Sequence, residues 1–413
     1  MRLGTSPEAG CLLAYTATPR ISPRCSSVTS PASDLLYFLY SSASEDVHRH
    51  HVEDLLREYH NTLVGLLRRL GMEQQAEAYT FEELKKEMDY CLVIGVYYWI
   101  TSGFGLTSEE HGAQYGSETI NNMELSTDTR VPPPSWLNHD FIESVLKKAE
   151  RKEITVDSMN VEYANAEGLG YGSLKFRLTV FLSYEGNEKI QKKTLIVKTV
   201  LESGQLKDLT EKCDVFKVEA EMLFDVMPKI HEQLAVLEGE EFRPLGASCY
   251  QWGREPATYI VLEDLSPTGF RLAQAGQPLD LKPCAVTLRA YARLHAASAY
   301  LLTKQPRYKE KFCVHMFTEE NFLQHLAPGA KISFKALANE LDKCSGYEQY
   351  SERYRVLAEC FLDVAYERME QIKTQTNLSV LTHGDCWKNN MMFKYVNGEV
   401  SEVCLVDFQV MSF

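Results

Sequence analysis

VLTHGDCWKNNMMFKYVNGEVSEVCLVDFQV, residues 380–410, is the stretch that decides how the rest of the chain is read. His383-Gly384-Asp385 is followed, five residues after the Asp, by Asn390. Two apolar runs come next, Met391 to Phe393 and Val403 to Val406, with Asn397-Gly398 between them. Both residues of that dipeptide tolerate positive φ, so the runs are expected to be the arms of a β-hairpin. The second run ends at Asp407-Phe408-Gln409. An acid and an amide therefore share one loop, and a second acid follows the returning strand. Taken singly, His383, Asp385 and Asp407 could be ordinary turn and cap residues. The spacing, the hairpin and the second acid together argue against that.

Phosphoryl transfer from ATP needs such a set. One carboxylate orients or deprotonates the attacking hydroxyl, while an amide oxygen and a second carboxylate hold Mg²⁺ against the phosphates. Protein kinases use H-R-D-x-x-x-x-N followed by D-F-G. Here Gly384 replaces the Arg and Gln409 the final Gly. H-G-D-x-x-x-x-N with D-F-Q resembles the small-molecule branch of the kinase-like fold, which includes aminoglycoside and choline kinases. The fuller string HGDCWKNNMMF followed by LVDFQ resembles the ecdysteroid-kinase-like (CHK-kinase-like) family.

Upstream, from Val156, the pattern alternates as in strands. Gly168-Leu169-Gly170-Tyr171-Gly172-Ser173 leads into a strand at Leu174 to Leu182, and a second strand, Thr194 to Val200, contains Lys198. Bare backbone amides in a glycine turn approach phosphates closely, although a plain turn would read the same way. An apolar strand rarely carries a Lys without a partner. The partner expected here is Glu219, on a helix from about Asp214 to Met227. Glu221 is the alternative, and a solvated face would account for both. The resemblance favours Glu219, since its F-x-x-E, M and P match Phe216, Glu219, Met222 and Pro228. Tyr259 to Leu262 reads as a strand. The resemblance implies that the backbone of Glu263-Asp264-Leu265 after it binds adenine. Thr287 to Leu302 is an amphipathic helix in which His295 is expected to be a packed core residue. Residues 318 to 375 read as mostly helical, with Leu357, Phe361, Val364 and Ala365 facing inward.

The resemblance runs from about 136 to 413. In the family a Gly-Ser-Pro turn, an Asp-Leu run and several helices follow D-F-Q. Ser30-Pro31-Ala32-Ser33-Asp34-Leu35-Leu36-Tyr37-Phe38 and the helices behind it look like that tail, placed first. A join of two neighbouring copies and a working circular permutant both account for this order. Leu55, Leu56, Tyr59, Leu63, Leu66, Leu67 and Leu70 form one apolar helix face with Gly71 as a stop. Thr80 and Glu83 make a capping box for a helix through Leu84 and Met88 towards Trp99. Leaving that apolar face exposed would forgo on the order of 10–20 kcal/mol of gross stabilisation. The segment from Ser30 to Ile100 is therefore expected to pack on the lobe that contains Asp385, against helices at 287–302 or 352–370, with Ser30 near Phe413. His48, His50, His51 and His60 read as helix-surface histidines in preference to a metal cluster.

The expected organisation is a disordered stretch at 1–29, a helical tail-like segment at 30–100, a linker at 101–134, an ATP-binding lobe at 135–265 and a catalytic lobe at 266–413. The fold class is α+β, a two-lobed protein-kinase-like fold with an antiparallel sheet lobe and a mainly helical lobe. With 45% hydrophobic and 24% charged residues the composition is that of an ordinary globular protein. A net charge of -14 argues against a nucleic-acid partner. Eleven scattered cysteines without a C-x-x-C pair favour reduced thiols in the cytoplasm over a disulfide framework or a zinc site. No apolar run reaches the roughly 18 residues of a membrane span, and no membrane partner is expected.

The resemblance implies an ATP-dependent O-phosphotransferase with ATP and Mg²⁺ as cofactors. Asp385 is then the base, and Asn390 and Asp407 hold the metal. Lys198, oriented by Glu219, contacts the phosphates beneath Gly168, Gly170, Tyr171, Gly172 and Ser173. The substrate would be a small hydroxylated molecule, an ecdysteroid or a foreign alcohol. The alternative is a catalytically silent binding protein or a nonfunctional fusion fragment. A monomer and a tail-swapped dimer are both compatible with the sequence.

Overall fold

The computed structural model describes residues 30–92, 132–164, 173–200, 214–312, 327–409 and 411. The expected disordered stretch at 1–29, Gly168 to Gly172, Trp99, Phe413 and nearly all of the 101–134 linker lie outside these residues.

The first lobe is built on an antiparallel sheet of five strands: β1 (Ile154–Tyr163), β2 (Leu174–Tyr184), β3 (Asn187–Thr199), β4 (Cys249–Gly253) and β5 (Tyr259–Glu263). Their order is β1-β2-β3-β5-β4. Period-2 alternation gives the sheet two unlike faces. Leu174, Phe176, Leu178, Val180, Leu195, Val197, Tyr259 and Val261 form one core with Ile142, Val145 and Leu146. Those three belong to a helix at His139–Glu150, whose N-cap Asn138 accepts from the Phe141 N–H at 3.0 Å. The other face carries Lys175, Arg177, Ile196, Lys198, Ile260 and Leu262. Strand β3 begins at Asn187, seven residues before the start at Thr194 expected from apolar content. Its polar first half pairs with β2 where the hairpin projects into water, so hydrogen bonding and not burial extends it.

The helix expected to end near Met227 instead continues. Val215–Glu221 passes through one π turn, Met222–Val226, into a helix at Met227–Glu238. Pro228 lies just past the wide turn, where the ring's missing N–H is tolerated. The long helix of the second lobe starts at Leu281, six residues before the expected Thr287, and runs to Lys304.

Residues 30–92 pack on this second lobe. Helix α1 (Ala32–Ser42) lies against the loop at Lys388–Asn390, and after the short α2 (Glu45–His50), α3 (Val52–Arg69) lies along the helix at Leu281–Lys304. Leu55, Leu56, Tyr59, Leu63, Leu66 and Leu67 are buried there, as their spacing predicts. Leu70 is half-buried because it caps the helix. An ion pair from Arg289 to Glu58 crosses the same interface. The capping box is present: the Glu83 N–H donates to Thr80 Oγ1 at 3.2 Å. Phe361, Val364 and Ala365 are buried in the helix Glu348–Gln375, whereas Leu357 is half-buried. The buried Met411, close to the expected junction of Ser30 with Phe413, belongs to the same core as Leu35 and Phe38. No described helix is long and apolar enough to cross a membrane.

Candidate active site

The hairpin forms as the dipeptide dictates. Asn397 and Gly398 have φ 53° and 83° and join β7 (Met391–Val396) to β8 (Glu399–Leu405), which form a three-stranded sheet with β6 (Phe270–Leu272). The register pairs Met391 with Leu405. Just beyond it, the Val406 N–H donates to Asn390 O at 3.0 Å. Asp407 is thereby delivered beside Asn390, although 17 positions separate them in the sequence. Asp407 has φ 68°, a left-handed conformation that a residue with a Cβ adopts at some cost. Phe408 is buried and packs against the His383 ring in a tilted arrangement, with centroids 4.8 Å apart.

The loop before the hairpin is held from outside. Gly384 has φ 77°, which turns two successive backbone N–H groups towards one carboxylate. The carboxylate is that of Asp34: the His383 N–H donates to Oδ2 at 2.7 Å and the Gly384 N–H to Oδ1 at 3.0 Å. His295 Nε2 lies 3.2 Å from the same Oδ2, and Tyr59 Oη lies 2.7 Å from His295 Nδ1. His295 is fully buried, as expected of a core residue, and it ties α3 and α1 to the loop. Burial by itself would raise the Asp34 pKa, but hydrogen bonds and charge from His295, with a hydrogen bond from Cys386, hold it below the usual range. His383 Nε2 faces Val406 O at 3.1 Å, and its Nδ1 faces the Asp385 N–H at 3.4 Å. That pairing suits a proton on Nε2 and an accepting Nδ1.

Asp385 accepts two side-chain hydrogen bonds. Tyr37 Oη donates to Oδ1 at 2.8 Å, and Asn390 Nδ2 donates to Oδ2 at 2.7 Å. Burial raises the Asp385 pKa above the ordinary carboxylate value; the two hydrogen bonds and His383 act against this, and the charge of Asp407 adds to it.

Across the cleft, Lys198 Nζ lies 2.6 and 2.7 Å from the two Glu219 oxygens and 2.8 Å from Asp407 Oδ1. Glu221 points away and pairs with Lys311 at 3.6 Å. A residue two positions along a helix faces nearly the opposite side, so only one of the two glutamates can reach the strand. Gln409 Nε2 donates to Glu219 Oε2 at 3.3 Å. Lys175 Nζ reaches the other Asp407 oxygen, Oδ2, at 2.9 Å. Burial opposes ionisation of both Lys198 and Asp407. Their mutual charge, with Glu219 and Lys175, more than offsets it, so the Lys198 pKa is raised and that of Asp407 is driven well down.

The donors here are oxygens, which suits a hard cation. Asn390 has its amide nitrogen committed to Asp385, leaving Oδ1 as the atom a cation could use. Two ammonium groups already stand where Asp407 would meet positive charge. Among the described residues no group of three or more His, Cys, Asp or Glu could hold a metal ion. Mg²⁺ commonly binds through one or two carboxylates and completes its shell with phosphate and water. The residues therefore fit Mg²⁺ arriving with a nucleotide better than a permanently caged ion.

The strand-end segment expected to meet adenine is mostly engaged. The Glu263 N–H donates to Ser248 O at 2.9 Å and the Asp264 N–H to Thr194 O at 3.5 Å. The Asp264 carboxylate receives Arg177 Nε at 3.0 Å and the Ser266 N–H at 3.0 Å. Leu265 is buried at the turn into the second lobe. Ser173 is buried at the start of β2, while Gly168, Gly170, Tyr171 and Gly172 lie outside the described residues. Asp34, Tyr37 and Lys175 were not anticipated as site residues. Asp34 had one signal, an acid next to the unbroken apolar run Leu35 to Leu39.

A family model described as the ecdysteroid kinase-like family matches residues 24–72 and 167–413. No curated protein and no solved structure matches the chain.

Proposed function

The chain belongs to the ecdysteroid kinase-like family, and from that premise we propose that it is an ATP-dependent phosphotransferase acting on a hydroxyl of a small molecule. The observation that carries this reading is the position of Lys198. It bridges Glu219 on the helix and Asp407 at the end of the hairpin, and so links the sheet lobe to the loop of Asp385 and Asn390.

In this reading Asp385 Oδ2 is oriented by Asn390, and Oδ1 is held by the Tyr37 hydroxyl. A substrate hydroxyl entering beside Asp385 would hand its proton to the carboxylate as its oxygen bonds to the γ-phosphorus, while the bond from that phosphorus to the β–γ bridging oxygen breaks and ADP leaves with the electron pair. Lys198, fixed by Glu219, would stabilise phosphate charge in a place where water is excluded and electrostatic contacts are strong. Asp407 and Asn390 Oδ1 would hold Mg²⁺, which supplies charge neutralisation at the phosphate oxygens. Leu265, at the turn between the lobes, would meet adenine through its backbone. A hydroxylated substrate of ecdysteroid type is in keeping with the family's description, a foreign alcohol is the other substrate in this reading, and the reduced thiols suit a cytoplasmic setting.

The test is a nucleotide-dependent thermal shift with Mg²⁺, followed by phosphotransfer from ATP to a panel of steroid and xenobiotic alcohols, read by mass. A phosphorylated alcohol formed by the wild type and not by Asp385→Asn is the expected result. Equal turnover by the two proteins would sink the reading, and a nucleotide-bound chain that never phosphorylates any alcohol would point to a silent binding protein.

A further inference from the structure

We propose that Lys175 is a second phosphate-binding residue, held on Asp407 until a metal-bound nucleotide takes that carboxylate. The proposal rests on the phosphotransferase reading above. Alternation along β2 buries Leu174, Phe176 and Leu178 on the far side and leaves Lys175 and Arg177 on the cleft face. The register sets Lys175 directly opposite Lys198 on β3. Like charges in direct cross-strand register repel. The pair is tolerated because Asp407 divides its carboxylate between them, with Oδ1 towards Lys198 at 2.8 Å and Oδ2 towards Lys175 at 2.9 Å.

The two lysines are not equivalent. The Lys198 side chain is 4% exposed and also holds both Glu219 oxygens, so it keeps a counterion whatever happens at Asp407. The Lys175 side chain is 28% exposed, and Asp407 is its one ion-pair partner among the described residues. A cation that engages Asp407 through Oδ2 therefore leaves the Lys175 ammonium beside a fixed like charge, on a flexible stem, in need of an anion. The phosphates of the arriving nucleotide are anions delivered to that place. Arg177, the next cation along the same face, is already committed to the buried Asp264 carboxylate and cannot substitute.

The rival account makes Lys175 a structural counterion of Asp407. Titration calorimetry on the full chain separates the two, with adenosine and ATP as probes at saturating Mg²⁺, for the wild type, Lys175→Met, Lys175→Gln and Lys175→Arg. One charge-assisted contact corresponds to roughly a tenfold to hundredfold change in affinity. The neutral variants should lose about that much for Mg·ATP while binding adenosine as the wild type does, and Lys175→Arg should recover most of the loss. Unchanged Mg·ATP affinity in the neutral variants would overturn the proposal. So would an equal loss for both probes, or unfolding of both neutral variants, since Lys175 would then be structural. A wild type that binds neither probe would remove the phosphotransferase reading and this proposal with it.

Discussion

The hydroxyl of Tyr37 donates a hydrogen bond to Asp385 Oδ1 at 2.8 Å, joining residues 348 positions apart in the sequence. Burial raises the Asp385 pKa and this hydrogen bond opposes the rise, because it stabilises the ionised form. A base functions deprotonated, so turnover should climb as pH rises through the folded-state value. Tyr37→Phe removes a stabilising contact to the anion and moves that value higher. The acid limb of the kcat profile should shift to higher pH, with the alkaline plateau retained. Rate profiles of the two proteins decide the matter, and superimposable acid limbs would exclude this role for Tyr37.

The two cleft acids should fail differently. Asp385→Asn should abolish turnover with Mg·ATP affinity nearly intact, because an orienting or proton-accepting group acts mainly in the transition state. Asp407→Asn should weaken Mg·ATP binding by about tenfold or more, because it removes a charged contact to the metal. Direct binding measurements beside single-turnover rates would distinguish them; loss of binding in both variants would mean that Asp385 is part of the nucleotide site.

Asp34 is expected to be a stability residue as much as a positioning one. Asp34→Ala leaves the His383 and Gly384 N–H groups and His295 without their buried acceptor. Breaking such a set costs about 3–5 kcal/mol, to be read from denaturant unfolding. The pH dependence follows from the lowered Asp34 pKa, which arises because His295 and Cys386 outweigh the effect of burial. The stabilisation is complete above the carboxyl group's unfolded-state pKa and is lost as pH falls through the folded one. The deficit of Asp34→Asn should therefore shrink in acid. A deficit that is the same at neutral and acid pH would show that the charge contributes nothing.

Docking of α3 can be tested by truncation. Leu63 is fully buried against the second lobe, whereas Val236 on the helix Met227–Glu238 is 81% exposed. Leu63→Ala should cost about 2–5 kcal/mol, and Val236→Ala should stay within about 0.5 kcal/mol of wild type. Near-equal effects on urea midpoints would mean that α3 is not packed in solution as described.

Several features were legible in the sequence because local rules govern them. Asn397-Gly398 encodes its turn through the φ values it accepts, and that turn fixes the spacing of Asn390 and Asp407. Lys198 announced a partner because an interior strand position does not carry a lone charge; the family resemblance favoured Glu219 over Glu221 for that role, and Glu219 is the residue that Lys198 meets. The long amphipathic faces of α3 and the helix Leu281–Lys304 declared what they would bury. Other features came from tertiary structure. Asp34 and Tyr37 sit on the Asp385 loop only because α1 packs there, and no periodicity encodes a contact across hundreds of positions. The continuation of the helix past Met227 depended on one π turn, a backbone adjustment that propensity does not report. Lys175 carries no distinguishing signal in the sequence; the register of β2 on β3 sets it opposite Lys198, with one carboxylate between them. Sequence determines which groups are present and which face each takes; the pairing of faces from distant segments is decided by the packing that brings them together.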